Sequence, residues 1–264
     1  MHLDGKVVII TGSGNGIGAA MAHRFTRDGA KVVVTDIDPV GVDRVAGEIG
    51  SVGLAADITL EESVRRVAQL ARETYGRIDI WYSNAGFSGP RQPGEIQDNS
   101  LWELGWRLHV MSHVYAAREV LPEMLERGEG YLLQTASVVA LSTQADKASY
   151  SVTKHAALSL SEWLAVTYLS RGIRVSCFCP GPMLTQMLLG NDFPPDHPVF
   201  RTALQPDQIA DLVASGIADE RFLILDRSDA TDDLAAKAAD YDEWVGRFAA
   251  KWRGTVELTT PEPQ

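Results

Sequence analysis

Tyr150 and Lys154 stand four residues apart at the start of a helical pattern, so their side chains share one face and can meet. An ammonium beside a phenol favours phenolate, pulling a pKa that is ordinarily about 10 toward the range useful for proton transfer. Ser137 lies thirteen residues earlier, just past an apolar run that reads as a strand. Its hydroxyl either hydrogen-bonds a substrate oxygen or simply caps the Thr-Ala-Ser turn. Together the three side chains suit acid/base chemistry at an alcohol or ketone.

A glycine-rich turn supplies a second kind of chemistry. Thr11-Gly12-Ser13-Gly14-Asn15-Gly16-Ile17-Gly18 follows the first β-branched run and opens into a helical pattern from Ala19. Glycines let the backbone turn tightly against a pyrophosphate, and the helix N-terminus adds free amide donors and a favourable dipole. The strand before and the helix after distinguish such a cradle from a flexible loop. Asp36 closes the next strand, eighteen residues beyond Gly18. A carboxylate there accepts from both adenosine ribose hydroxyls and repels a 2′-phosphate, and neither Asn15 nor Ile37 offers a positive charge. The expected cofactor is NAD. Asp57-Ile58 and Asn84-Ala85-Gly86 lie at further strand ends, where open α/β sheets bind ligands.

A scaffold must bring these residues to one edge. Short β-branched runs alternate with helical patterns: KVVIIT, a helix near 16–28, KVVVTD, a helix near 40–49, the short SVGLAA, a helix near 60–75, then RIDIWYS. The alternation continues with YLLQTA at 131–136, a helix from about 149 to 171, IRVSCF at 173–178, a helix near 206–219 and RFLIL at 221–225. The fold class is therefore α/β, a Rossmann-like doubly wound parallel sheet of about seven strands with helices on both faces. Residues 1–225 read as one domain that binds NAD and carries the chemistry. Residues 226–264 read as a C-terminal helical extension, because Leu234, Ala238, Tyr241, Val245, Phe248 and Trp252 recur at helical spacing after the Thr231-Asp232-Asp233 start signal. It packs either on its own domain or at a subunit interface. Residues 186–205, apolar and holding three prolines, read as a loop that closes over a site.

With 264 residues, 45% hydrophobic and 22% charged, the chain has apolar mass for one large core. A net charge of -11 removes the attraction that draws proteins to phosphate backbones or anionic lipid, so neither nucleic acid nor membrane is an expected partner. The apolar run at Val7–Thr11 is too short for a secretory leader, and no run approaches a membrane span. A cytoplasmic location is expected. Cys177 and Cys179 alternate along a predicted strand, which suits core filling better than a disulfide or a metal.

Taken in order, TGSGNGIG at 11–18, DI at 57–58, NAG at 84–86, Ser137, YSVTK at 150–154 and PGPMLT at 180–185 make this sequence resemble the short-chain dehydrogenase/reductase family over residues 5 to about 225. The resemblance implies a Rossmann-like fold and homo-oligomers, tetramers or dimers. It also implies roles: Tyr150 as general acid/base, Lys154 binding the nicotinamide ribose and lowering the Tyr150 pKa, and Ser137 orienting the carbonyl or hydroxyl. Thr185, with Met183 and the Pro180-Gly181 turn, would hold the nicotinamide carboxamide. Gly12, Ser13, Asn15, Gly16, Ile17 and Gly18 complete the cofactor set on the phosphate side, Asp36 and Ile37 at the adenosine, and Asp57, Ile58, Asn84, Ala85 and Gly86 along the groove.

The chain departs from the family pattern at one position beside the site. Most members carry an asparagine thirteen residues ahead of the helix-end proline, holding a water that links the lysine to solvent; counting back from Pro122 gives His109. His109 either keeps that proton relay and adds a titration near neutral pH, or packs as a core histidine. His109 and His113 are spaced to share a metal, yet no glutamate follows His109 and no third ligand is evident, so no metal is expected. The family's closing Asp-Gly-Gly is replaced by Asp226-Arg227-Ser228.

Residues 87–95, 138–144 and 186–205 are expected to form the substrate pocket. Val139, Leu141, Met183, Met187, Leu188 and Phe193 make it apolar and suited to a hydrophobic or cyclic secondary alcohol or ketone. The leading reading is an NAD-dependent oxidoreductase acting on CH-OH groups. Two other classes use the same fold: an NAD(H)-binding regulator or partner scaffold that has lost catalysis, to which His109 points, and an epimerase or lyase that recycles NAD.

Overall fold

The computed structural model describes residues 1–91, 97–190, 194 and 196–259, with 254–259 described by backbone alone. Positions 92–95, 191–193 (Phe193 among them) and 195 of the expected pocket lie outside the described residues. Seven parallel strands form one sheet in the order β3-β2-β1-β4-β5-β6-β7. They are β1 (Val7–Thr11), β2 (Lys31–Asp36), β3 (Val52–Ala55), β4 (Ile80–Ser83), β5 (Gly130–Thr135), β6 (Ile173–Cys179) and β7 (Leu223–Leu225). The chain builds outward from β1 to β3 and then crosses back to β4. The strand order thus reverses between β1 and β4, which opens a crevice at the C-terminal ends of the strands.

The strand sequences are almost wholly apolar because both faces are covered. Val8 and Ile10 of β1 face one layer with Val32 and Val34, while Val7, Ile9 and Val33 face the other. The first layer is closed by α1 (Gly16–Arg27), α2 (Pro39–Ile49) and α9 (Pro206–Ala218), through Met21, Phe25, Val45, Val213 and Ile217. The second is closed by α3 (Glu61–Tyr75), α5 (Ser112–Arg127) and α6 (Ala148–Tyr168), through Val67, Ala71, Val120, Met124 and Leu164. Between α3 and α5 runs α4 (Asn99–Trp106), which passes into α5 through a π-helical turn at Arg107–Met111. Among the described residues no helix is long and apolar enough to cross a membrane.

Several elements differ from the sequence reading for local reasons. The long helix ends at Tyr168 and tightens into a 3-10 turn at Leu169–Arg171, stopped by Gly172 in the left-handed region. Strand β7 keeps only three residues of the RFLIL run. The segment read as a loop carries two short helices, α7 (Gln186–Leu189) and α8 (Val199–Thr202), and a bridge between Met183 and Leu204. The extension is two helices, α10 (Asp229–Ala239) and α11 (Tyr241–Thr259), because Asp240 adopts an extended backbone that breaks the pattern. Tyr241 and Val245 consequently face solvent, while Trp244 and Phe248 are buried.

Candidate active site

At the β1–α1 turn, Gly12 and Gly16 occupy positive φ, which side chains disfavour. A methyl at Gly12 would stand 2.7 Å from the Ala85 backbone, and one at Gly18 would stand 2.1 Å from the Gly12 carbonyl. Helix and strands are therefore in backbone contact. Asn15 caps α1 without a side-chain hydrogen bond, so the side chain at this position leaves the first-turn amides unmet. That is the cradle a pyrophosphate requires. From it a cleft of about 520 Å³ runs past Asp36 and Ile37, Asp57 and Ile58, and Asn84, Ala85 and Gly86 to Tyr150 and Lys154.

Not every residue of the motif faces that cleft. The Ser13 hydroxyl turns inward, donating to the Ile10 carbonyl at 2.6 Å and accepting from the Thr35 amide at 3.0 Å. It ties β1 to β2 rather than lining the groove. Asn84 likewise braces the strand ends, its Nδ2 donating to the Thr11 carbonyl at 3.0 Å and its backbone amide to Thr11 Oγ1 at 2.9 Å. Asp36 accepts from the Gly14 amide at 3.0 Å and the Asp38 amide at 3.1 Å. In the next peptide, Arg44 Nη2 donates to the Gly14 carbonyl at 2.8 Å. The sequence reading missed Arg44, since it lies on α2, beyond the strand-end positions searched for a cation.

Lys154 is buried, with Nζ donating to the Thr135 carbonyl at 2.9 Å and lying 5.6 Å from the centre of the Tyr150 ring. Burial lowers its pKa to about 8. Burial also raises Tyr150 above its ordinary value, opposed by a hydrogen bond to Ser137. Burial governs the phenol here, and the Lys154 ammonium is engaged by the Thr135 carbonyl. Ser137 caps the 3-10 turn Val138–Ala140, accepting from the Val139 amide at 3.2 Å. Its hydroxyl serves the turn and Tyr150 together.

His109 lies in the π-helical turn, buried between the Phe87 and Tyr150 rings at centroid distances of 5.4 and 5.6 Å. The Phe87 amide donates to Nε2 at 3.3 Å, which fixes the proton on Nδ1, and Nδ1 contacts Thr153 Oγ1 at 2.9 Å. Desolvation first, then the charge of Lys154, holds its pKa well below the usual value. A titration near neutral pH is thus removed by burial, and both ring nitrogens are taken by the protein. One turn on, His113 is also buried, and burial with nearby Lys154 lowers it to about 3. Among the described residues no three His, Cys, Asp or Glu side chains are placed to hold a metal. Cys177 and Cys179 are free and buried, with sulfurs 3.8 Å apart.

A second cleft of about 440 Å³ meets the first at Tyr150. Pro180, Met183, Thr185 and Met187 line both, whereas Ser137 and Gly181 line only the second. The Gly181 amide donates to Asp226 Oδ1 at 3.0 Å, so the residue after β7 anchors the Pro-Gly turn despite the missing glycines. Val139, Met183, Met187 and Leu188 line this second cleft; Leu141 packs in the core beneath it. The sequence reading missed its other wall: Arg227, Asp229, Asp233, Phe248, Lys251 and Trp252, all from the C-terminal extension. Helical periodicity signalled that the extension had a buried face, but not what it would bury against.

A family model described as short chain dehydrogenase matches residues 6–192. The chain is 35% identical over 278 residues to 1-deoxy-11-beta-hydroxypentalenate dehydrogenase of Streptomyces exfoliatus, covering 100% of this chain and 94% of the relative. Among solved structures it resembles 3-ketoacyl-(acyl-carrier-protein) reductase from Brucella melitensis complexed with NADH, at TM-score 0.79 and 30% identity over 85% of this chain and 97% of that one. It also resembles 7 alpha-hydroxysteroid dehydrogenase complexed with NADH and 7-oxo glycochenodeoxycholic acid, at TM-score 0.77 and 31% identity over 85% and 93% of the two chains.

Proposed function

This chain belongs to the short-chain dehydrogenase family and is an oxidoreductase of that family, and we propose that it uses NAD to interconvert a secondary alcohol and a ketone on an apolar, cyclic substrate. One observation carries the reading: Tyr150 is the common wall of two clefts, a long groove behind a glycine turn and a largely apolar pocket. NADH in the two solved neighbours supports a nicotinamide cofactor, and Asp36 at the adenosine end supports NAD over NADP. The ring compounds named with two of those proteins, hydroxypentalenate and 7-oxo glycochenodeoxycholic acid, support a cyclic substrate.

The α1 amides and Asp36 would hold the pyrophosphate and ribose, while Lys154, Thr185 and the Pro180-Gly181 turn would hold the nicotinamide half. When bound, the oxidised cofactor supplies the hydride acceptor and a positive charge. Ser137 orients the substrate hydroxyl toward Tyr150, whose oxygen takes the proton during oxidation and returns it during reduction. Lys154, at about 8, can both accept and release a proton near neutral pH. His109 stays neutral; it fixes the Phe87 backbone and the edge of the Tyr150 ring, so its part is positioning. Because burial raises Tyr150, oxidation speeds up toward alkaline pH, where phenolate is more populated, and reduction is favoured nearer neutrality.

Trp244 and Phe248, buried in α11, support an extension packed on its own domain rather than a free tail. Exposed Trp163, Val166 and Leu169 along one side of the molecule support a homo-oligomer. The protein is read as cytoplasmic. The test of function is initial rates with NAD and NADP over a panel of aliphatic, aromatic and steroid-like alcohols. NAD is expected to be preferred, with a loss of about 100-fold or more in Tyr150→Phe. Equal rates in that variant would refute the mechanism.

A further inference from the structure

The pocket beside Tyr150 is chemically two-sided. Val138, Val139, Pro182, Met183, Leu188 and Val199 give it an apolar body. The wall contributed by the extension carries three side chains that only donate hydrogen bonds, Arg227, Lys251 and Trp252, beside two carboxylates, Asp229 and Asp233. Trp252 Nε1 is buried without a hydrogen-bond partner, and an indole can only donate. Arg227 Nε also makes no hydrogen bond, its nearest carboxylate being Asp229 at 3.3 Å. Lys251 is exposed where it meets the pocket; its ammonium lies 5.2 Å from the centre of the Phe248 ring and forms no ion pair among the described residues.

Of the remaining charges in the lining, Asp229 answers Arg227, whereas no ion pair among the described residues answers Lys251. Lys147 is committed to Ser88 Oγ at 2.9 Å and the Gly89 carbonyl at 3.2 Å. Asp229 faces Arg227 and is mostly exposed, which leaves Asp233 as the one acid of the lining outside a pair. The chain as a whole carries a net charge of -11, so cations gathered here are not the spill-over of a basic surface. The lining holds three cations, Lys147, Arg227 and Lys251, against two acids, Asp229 and Asp233, and near charges outweigh distant ones that salt screens.

We propose that the substrate carries a carboxylate on its apolar ring system, remote from the reacting carbon, and that Lys251, Trp252 and Arg227 of the C-terminal extension receive it. The proposal rests on the dehydrogenase reading above and narrows its substrate to a cyclic hydroxy acid or keto acid. It also makes the extension a specificity element, supplying the anion contact while Tyr150 and Ser137 hold the reacting oxygen.

The test uses the full chain and three forms of one scaffold: a hydroxysteroid carboxylic acid, its methyl ester, and its amide with a terminal primary amine. The same comparison is made with 4-hydroxycyclohexanecarboxylate. Two quantities are read: kcat/KM with NAD, and affinity for the preformed complex with NADH by fluorescence. The acid is expected to exceed its ester about tenfold in both, the value of one charge-assisted contact. That ratio should fall toward one in Lys251→Gln and decline a few-fold in Trp252→Phe, which keeps the ring and removes the N–H. Equal acid and ester in the unmodified enzyme would overturn the proposal, as would preference for the amine, which would assign the wall to Asp233. A ratio unmoved by both substitutions would overturn the residue assignment. Preferential binding of the acid, dependent on Lys251 but with no turnover of any alcohol, would refute the dehydrogenase reading and leave the anion pocket standing.

Discussion

Acid should destabilise this protein through His113, and the size of the effect follows from its surroundings. The ring is buried in α5, near Lys154 and hydrogen-bonded to Gln134, and it titrates at about 3 when folded. In the unfolded chain it titrates at about 6.5. The folded value is the lower one, so the contribution is complete above about pH 6.5 and is lost as pH falls toward about 3. Between pH 7.5 and 5.0 the unfolded chain takes up a proton that the folded chain refuses. The linkage integral over that interval gives a loss of about 2 kcal/mol from this one residue. His113→Gln keeps a polar side chain that cannot charge. Urea denaturation at both pH values, on wild type and variant, isolates the difference. Wild type should lose about 2 kcal/mol more than the variant across the interval, whatever the variant does to stability at pH 7.5. Equal losses would mean that the folded protein accepts the proton, and the buried-neutral account of His113 would be wrong.

Two further outcomes separate close contact from mere composition and positioning from titration. Gly18→Ala places a methyl 2.1 Å from the Gly12 carbonyl and should cost about 2 kcal/mol or more with loss of NADH binding in a fluorescence titration. Gly47→Ala, at an exposed position of α2 with nothing within 4 Å, should gain about 0.5 to 1 kcal/mol; similar behaviour of the two variants would undo the packing argument. In His109→Asn the limbs of the kcat/KM profile between about pH 6 and 10 should stay in place, since a neutral histidine is exchanged for a neutral amide, and a displaced acidic limb would show that His109 titrates.

The sheet was legible because its signal is redundant. Each central strand is apolar on both faces, and each is followed by a helix with one apolar side, so errors of a few residues at YLLQTA or RFLIL do not disturb the order. The glycine turn was equally plain, since Gly12 and Gly18 answer backbone contacts that no other residue allows. What failed to show were contacts between segments far apart in the chain. Arg44 reaches the Gly14 carbonyl across thirty residues, and Lys251 and Trp252 reach a pocket whose reacting groups lie about a hundred residues earlier. Periodicity reports that a face is buried, not its partner. Charge states were illegible for the same reason. The spacing of Tyr150 and Lys154 predicts proximity, but whether burial or the ammonium governs the phenol depends on where Lys154 spends its protons.

Gly14 is held through both peptides that meet at its Cα, the preceding one by Asp36 at the amide and the following one by Arg44 at the carbonyl. On the reading that Asp36 selects the cofactor, the selector is also a strut of the phosphate turn. Replacing it to admit a 2′-phosphate would remove repulsion and, in the same stroke, let the Ser13–Gly14 peptide rotate. Cofactor choice and turn geometry are then one variable rather than two. A lineage, or an engineer, moving this enzyme from one cofactor to the other must pass through a double change: a new acceptor for the Gly14 amide along with the loss of Asp36. Single substitutions there should yield poor enzymes with either cofactor, not switched ones.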